Sequence, residues 1–167
     1  MKKEILSTPA GDIVLIVHGN QLFYCNWDND DCKKKELEAE KKISGEFATE
    51  AKDEEEEILM KRVKEEMNEY FAGMRREFDL PIRLLGTPFQ QKVWEGMLNI
   101  GYGQVVTYGG LAKAIGHEKG VRCVANACGR NPLAIIVPCH RVVASNGKPG
   151  GYTGGLDKKE MLLSLET

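Results

Sequence analysis

Residues 122–143 read RCVANACGRNPLAIIVPCHRVV, and the fold turns on how this stretch is divided. Its first part closes the segment KGVRCVANACGRNP, a short helix ended by Gly129 and the Asn131-Pro132 pair. Upstream, YGGLAKAIG forms a second short helix, and a turn at Gly116-His117 separates the two. That is helix-turn-helix spacing. Two short helices around a glycine turn occur in many folds, so the spacing alone does not establish contact with DNA. The second part, AIIVPCHRVV, sets Cys139 and His140 after an apolar, strand-like run and Pro138. Proline fixes its own φ and has no N–H, so the chain is expected to turn at the cysteine and present it at a pocket wall. A thiol attacks as its thiolate, which a neighbouring histidine can generate and positive charge can stabilise. His140, Arg141 and Arg130 offer both ingredients. On chemistry alone, Cys beside His is compatible with a protease, an acyl transferase, a metal ligand or coincidence.

Working outward, Thr87 is an N-cap candidate with Pro88 at the first helical position, and Phe89, Val93, Trp94 and Met97 form the apolar face of that helix. A short extended run is expected at Gln104–Thr107. The first 27 residues read as strands at Glu4–Ser7, Ile13–Val17 and Leu22–Trp27, with turns at Pro9-Ala10-Gly11 and Gly19-Asn20. From Asp28 to Glu57 the chain is almost all charge around a short ISGEFAT interruption, and few residues could anchor it. A solvated loop or exposed helix is expected there. Between Glu54 and Met74, Leu59, Val63, Met67, Tyr70 and Phe71 recur at helical spacing. Gly86-Thr87-Pro88 reads as a boundary. The expected architecture is α/β of the α+β kind: a small β-rich domain with one long helix over 1–86, then a helical, winged-helix-like domain over 87–167.

Charge divides along the same line. Residues 1–86 carry 14 Lys and Arg against 20 Asp and Glu, whereas residues 87–167 carry 9 against 5. The second half is therefore the one expected to meet a polyanion. Five cysteines, at 25, 32, 123, 128 and 139, are an odd number with no CxxC pair, which argues against a disulfide framework or a zinc ribbon. Cys123 and Cys128 are read as small buried residues. No apolar run is long enough for a bilayer span or a signal peptide, so the cytoplasm is the expected location.

The long constellation RCVANACGRNPLAIIVPCHRVV, followed by GYTGGLDKKEMLLSLE, resembles the O6-alkylguanine-DNA alkyltransferases over Thr87 to Glu166. The resemblance implies a single-turnover, cofactor-free transfer of the alkyl group of O6-alkylguanine, and of O4-alkylthymine, to Cys139 after the nucleotide is flipped out of the duplex. It makes His140 the acceptor of the thiol proton through a water, and Glu166 the carboxylate that orients it. Asn131 would tie the helix-turn-helix to the active-site turn. Tyr108 would help rotate the nucleotide and donate a proton toward the guanine ring. Arg122 would fill the vacated stack, with Arg130 also on the DNA. Val142, Tyr152 and Thr153 would line the base pocket, the Val142 carbonyl meeting the guanine amino group. The Gly-rich KPGGYTGG lacks the GK[ST] ending of a P-loop, so it is not read as a nucleotide-phosphate cradle. The implied partner is double-stranded DNA, met by a monomer without a membrane or a metal. Some relatives hold zinc in the first domain; Cys25, Cys32 and His18 are the only candidates and show no ligand pattern. A lesion sensor without the cysteine, a transcription regulator and a cysteine hydrolase are the competing classes.

Overall fold

A computed structural model describes residues 1–47, 51–148 and 150–167. The chain divides into two compact units, Met1–Leu85 and Gly86–Thr167. In the first, β1 (Lys2–Thr8), β2 (Gly11–His18) and β3 (Gln21–Trp27) form an antiparallel sheet in the order β1-β2-β3. The register runs from Lys2 opposite Val17 to Thr8 opposite Gly11 in the first pair, and the second pair carries an irregularity at Ile16/Val17. Ile13 to Val17 are all buried, as a strand requires when both of its faces are covered. A parallel bridge from Leu22 to Ile82 adds cover at β3, with Leu22 N–H donating to Pro81 O at 2.8 Å.

Among the described residues two helices, not one, complete this unit: α1 (Asp30–Glu46) and α2 (Asp53–Phe71). The charged stretch expected to be a solvated loop or exposed helix is a helix with a buried face, made of Cys32, Glu36, Ala39 and Ile43. Ala39 and Ile43 pack with Val14, Ile16, Phe23 and Tyr24. Asn29 caps α1 by accepting from Cys32 N–H, and the buried Glu36 carboxylate accepts from Lys3 and Lys33 at 2.9 Å each. A charged residue can therefore occupy the inward face, because its charge is met at the rim. The tail of the ISGEFAT interruption, residues 48 and 49, lies outside the described residues.

The second unit contains α3 (Pro88–Leu98), β4 (Val106–Thr107), α4 (Tyr108–Ala114), α5 (Val121–Gly129), β5 (Val142–Val143) and α6 (Leu156–Leu165). Thr87 and Gln90 form a reciprocal capping box at the start of α3, a feature worth about 1 kcal/mol. Val93, Trp94 and Met97 are buried, and Trp94 Nε1–H donates to Ala127 O at 2.8 Å, binding α3 to α5. A short 3₁₀ turn at Glu118–Gly120 leads into α5, so α4 and α5 form the helix-turn-helix. On α5, Val124, Ala127 and Cys128 face inward, whereas Cys123 is exposed, contrary to the expectation that both cysteines are buried. The five-residue spacing turns the two thiols to different sides. β4 and β5 pair in parallel, Val106 with Val142 and Thr107 with Val143. This pairing sets Tyr108, the first residue of α4, beside the segment that follows Cys139.

Candidate active site

The strand expected before Pro138 is absent. Residues 133–137 fold into buried turns in which Ile136 N–H donates to Ala134 O, Val137 N–H to Leu133 O and Cys139 N–H to Val137 O, at 2.8–2.9 Å. Ile135 sits at φ 72°, a left-handed conformation that a β-branched side chain adopts only where the surroundings enforce it. Asn131 is the enforcing residue. Its Nδ2 donates to Val137 O at 2.8 Å and its Oδ1 accepts from Leu133 N–H at 3.0 Å, while its own backbone N–H reaches Cys128 O at 3.3 Å. The end of α5 is thereby fastened to the peptide just before the cysteine.

Cys139 opens a 3₁₀ turn, Cys139–Arg141, and is half-buried. The next residue, His140, is wholly buried, with Nε2 2.9 Å from Glu166 Oε1. That contact places the imidazole proton on Nε2 and leaves Nδ1 as an acceptor with no partner among the described residues. Burial lowers the pKa of His140 below its ordinary 6.5; the hydrogen bond and charge of Glu166 oppose this, and Arg141 and Lys159 add to the lowering. Burial alone would raise the Glu166 carboxyl, but hydrogen bonds from His140 and Arg141 outweigh it and bring the value to about 2. The resting pair is a neutral imidazole held by a carboxylate.

Arg141 does not face the thiol as the sequence suggested. Its Nε donates to Glu166 Oε2 at 2.9 Å, Nη2 to Oε1 at 2.7 Å and Nη1 to Ile100 O at 2.7 Å. A guanidinium matched to a carboxylate in this two-point fashion is committed to holding that carboxylate, and much of its charge is met there. The tail bearing Glu166 is also held by Tyr102, whose hydroxyl donates to Leu165 O at 3.2 Å. Gly103, at φ 76°, lies so close that an added Cβ would sit 2.9 Å from Glu166 O.

The other expected residues fall into two groups. Val142 opens β5 directly after the cysteine turn, the pairing of β4 with β5 brings Tyr108 beside it, and Tyr152 and Thr153 belong to the loop that leads into α6. Thr153 Oγ1 donates to Gly129 O at 3.3 Å. Tyr108 is half-buried, and burial, followed by the thiols of Cys128 and Cys139, pushes its hydroxyl up to about 12. Arg122 and Arg130 are exposed, at the start of α5 and just past its end. Pro149 of KPGGYTGG lies outside the described residues.

Sequence reasoning missed Lys159. It is completely buried on α6, and Nζ donates to Val142 O at 2.7 Å and to Gly151 O at 3.3 Å. Burial lowers its pKa, while the thiols of Cys139 and Cys128 oppose that shift. The signal was present in the spacing: Lys159, Leu162 and Glu166 recur at i, i+3 and i+7, one face of a helix. The zinc candidates do not converge on a metal. Cys32 Sγ contacts Asn26 Oδ1 at 3.4 Å, His18 Nε2 lies 2.5 Å from Phe47 O, and among the described residues no group of three or more His, Cys, Asp or Glu is arranged around a cation.

Residues 88–167 match the DNA binding domain of 6-O-methylguanine DNA methyltransferase, and residues 1–84 match the ribonuclease-like domain of the same protein. The methylated-DNA–protein-cysteine methyltransferase of Methanosarcina acetivorans is 41% identical over 164 residues, which span 97% of this chain and 96% of that protein. Among solved structures, Mycobacterium tuberculosis OGT in complex with DNA superposes with a TM-score of 0.80 at 34% identity, covering 98% of this chain and 91% of that one. The O6-methylguanine-DNA methyltransferase of the hyperthermophilic archaeon Pyrococcus kodakaraensis gives 0.62 at 27% identity, covering 98% and 97%. Both halves of the sequence, and the order in which they occur, thus have counterparts in one group of proteins: this chain belongs to the 6-O-methylguanine DNA methyltransferase family.

Proposed function

We propose that this protein repairs alkylated duplex DNA by transferring the alkyl group from O6 of guanine to Sγ of its own Cys139, once per molecule and without a cofactor. The observation that carries the proposal is the buried His140–Glu166 pair at the residue next to a half-buried cysteine, with the Nδ1 lone pair of the histidine unclaimed among the described residues. His140 takes the thiol proton through a water, and the thiolate attacks the alkyl carbon. The new bond is S–C and the bond that breaks is C–O6, whose electrons go to the guanine ring. Tyr108, with its hydroxyl held near 12, keeps its proton at neutral pH and can donate a hydrogen bond to that ring as the charge develops, while the proton that His140 took from the thiol restores neutrality through water. The product is a thioether with no carbonyl for water to attack, so the cysteine is not regenerated.

Guanine O6 lies at the major-groove edge of a stacked pair, so attack by Cys139 requires the nucleotide to be flipped into the pocket. Arg122 fills the vacated stack. Arg130 contacts the backbone, and the +4 half of the chain supplies the attraction for DNA. Val142, Tyr152 and Thr153 hold the flipped base, with the Val142 carbonyl accepting from the guanine amino group. Asn131 fixes the turn on which all of this is mounted. No helix among the described residues is long and apolar enough to cross a membrane, and the cytoplasm is the proposed location.

Intact-mass analysis after incubation with duplex DNA containing O6-methylguanine tests the proposal. The expected result is a gain of one methyl group mapped to Cys139, absent in Cys139→Ser although that variant still binds the lesion. A Cys139→Ser protein that gains the methyl group at the wild-type rate sinks the assignment, as does repeated turnover.

A further inference from the structure

Lys159 is a buried cation that the transfer chemistry above does not use. Taking an ammonium out of water is costly unless its donors are satisfied, and a carboxylate is the usual answer. Among the described residues Lys159 has no carboxylate partner; it has Val142 O at 2.7 Å, Gly151 O at 3.3 Å, and the Tyr108 ring centroid 5.9 Å from Nζ. Two donor hydrogens thus go to backbone carbonyls and the third side of the ammonium faces an aromatic ring. The two carbonyls belong to different walls: Val142 is in β5, next to the cysteine turn, and Gly151 is in the Gly-rich loop. The loop also approaches Tyr108 closely. A Cβ added at Gly150, where φ is 73°, would lie 3.3 Å from Tyr108 Cε2 and 3.5 Å from its hydroxyl. One side chain therefore links the strand end, the loop and the tyrosine.

We propose that Lys159 is a positioning residue for substrate selection: by fixing the Val142 and Gly151 carbonyls relative to each other, it aims the Val142 carbonyl at the guanine amino group and so makes the pocket select bases that carry that group. This rests on the assignment of Val142 to the base pocket. A carbonyl oxygen has two acceptor directions, and occupying one with Nζ fixes the peptide plane while leaving the other open. Without the strut the peptide can rotate, and the loop loses its anchor to β5.

The test compares rates of Cys139 alkylation by O6-benzylguanine and by its analogue lacking the 2-amino group, in wild type and in Lys159→Met. Methionine has nearly the length of lysine and is at home in a core, so the variant is expected to fold, which thermal melting verifies. Lys159→Gln, too short to span both carbonyls, serves as a second variant if Met does not fold. Iodoacetamide, which carries no base, reports thiol reactivity separately. Wild type is expected to favour the amino-bearing base by about tenfold, the worth of one hydrogen bond of ordinary strength, and the variants to bring the ratio to within about twofold. A folded variant that keeps the wild-type ratio overturns the proposal. So does an equal loss with both bases and iodoacetamide, which would assign Lys159 to the thiol. If wild type itself shows no preference, the Val142 contact falls and the proposal with it, while alkyl transfer to Cys139 stands.

Discussion

At the scale of single residues, the site is a chain of dependencies that ends at one thiol. Asn131 holds the peptide before Cys139, Glu166 holds His140, and Arg141 holds Glu166. His140 and Glu166 both have folded-state pKa values below their ordinary ones, His140 because it is buried and Glu166 because its two donors outweigh burial. For either group the unfolded chain binds protons more readily, so the stabilising contribution is complete above the ordinary value and is lost as pH falls toward the folded value. Urea midpoints should therefore hold steady above about pH 7, decline below 6.5 as the unfolded histidine protonates, and decline again between 4.5 and about 2. Glu166→Gln should shrink the second decline, leaving the part that Glu36 and Glu4 contribute, and lower stability at neutral pH by about 3–5 kcal/mol, since Arg141 is left buried without its partner. A midpoint unchanged at pH 7 in that variant would show that the ion pair does not hold the site.

At the scale of elements, α5 performs two tasks with its two ends. Its exposed start carries Arg122, and its C-terminal end is bonded through Asn131 to the cysteine turn. If Arg122 fills the stack left by a flipped nucleotide, Arg122→Ala must meet a cost of a few kcal/mol with duplex DNA, and with no other substrate. Transfer from duplex O6-methylguanine should slow by roughly tenfold or more, while reaction with free O6-benzylguanine changes little. Comparing single-turnover rates for the two substrates decides the matter. Equal losses would mean that Arg122 supports the pocket, and its role in flipping would be withdrawn.

At the scale of the whole molecule, charge separates the two halves more sharply than the net value of −2 suggests. The second half, at +4, should bring the full chain to undamaged duplex DNA with affinity that falls steeply with salt, because bound cations leave the phosphates as the protein arrives. In a plot of log affinity against log salt, Arg130→Gln should reduce the slope by about one if this residue contacts a phosphate. A wild-type slope near zero would place the affinity elsewhere than in electrostatic contact.

The three strands, the second amphipathic helix and the helix-turn-helix were legible in the sequence, because each depends on local information: period-two and helical hydrophobic patterns, and glycine and proline punctuation. Three features were decided only in three dimensions. The segment before Cys139 looks like a strand because it is apolar, but burial does not distinguish a strand from packed turns, and Asn131, six residues upstream of Val137, bends it into turns. The first helix hides its anchorage because Glu36 counts as exposed in any pattern, until Lys3, 33 residues away in sequence, arrives to neutralise it. Arg141 looks like a free positive charge near a thiol and Lys159 like an ordinary exposed lysine, yet folding directs one to Glu166 and Ile100 and the other to two backbone carbonyls. Sequence patterns report which residues leave water; which polar group each meets there depends on partners distant along the chain, and only tertiary packing brings those together.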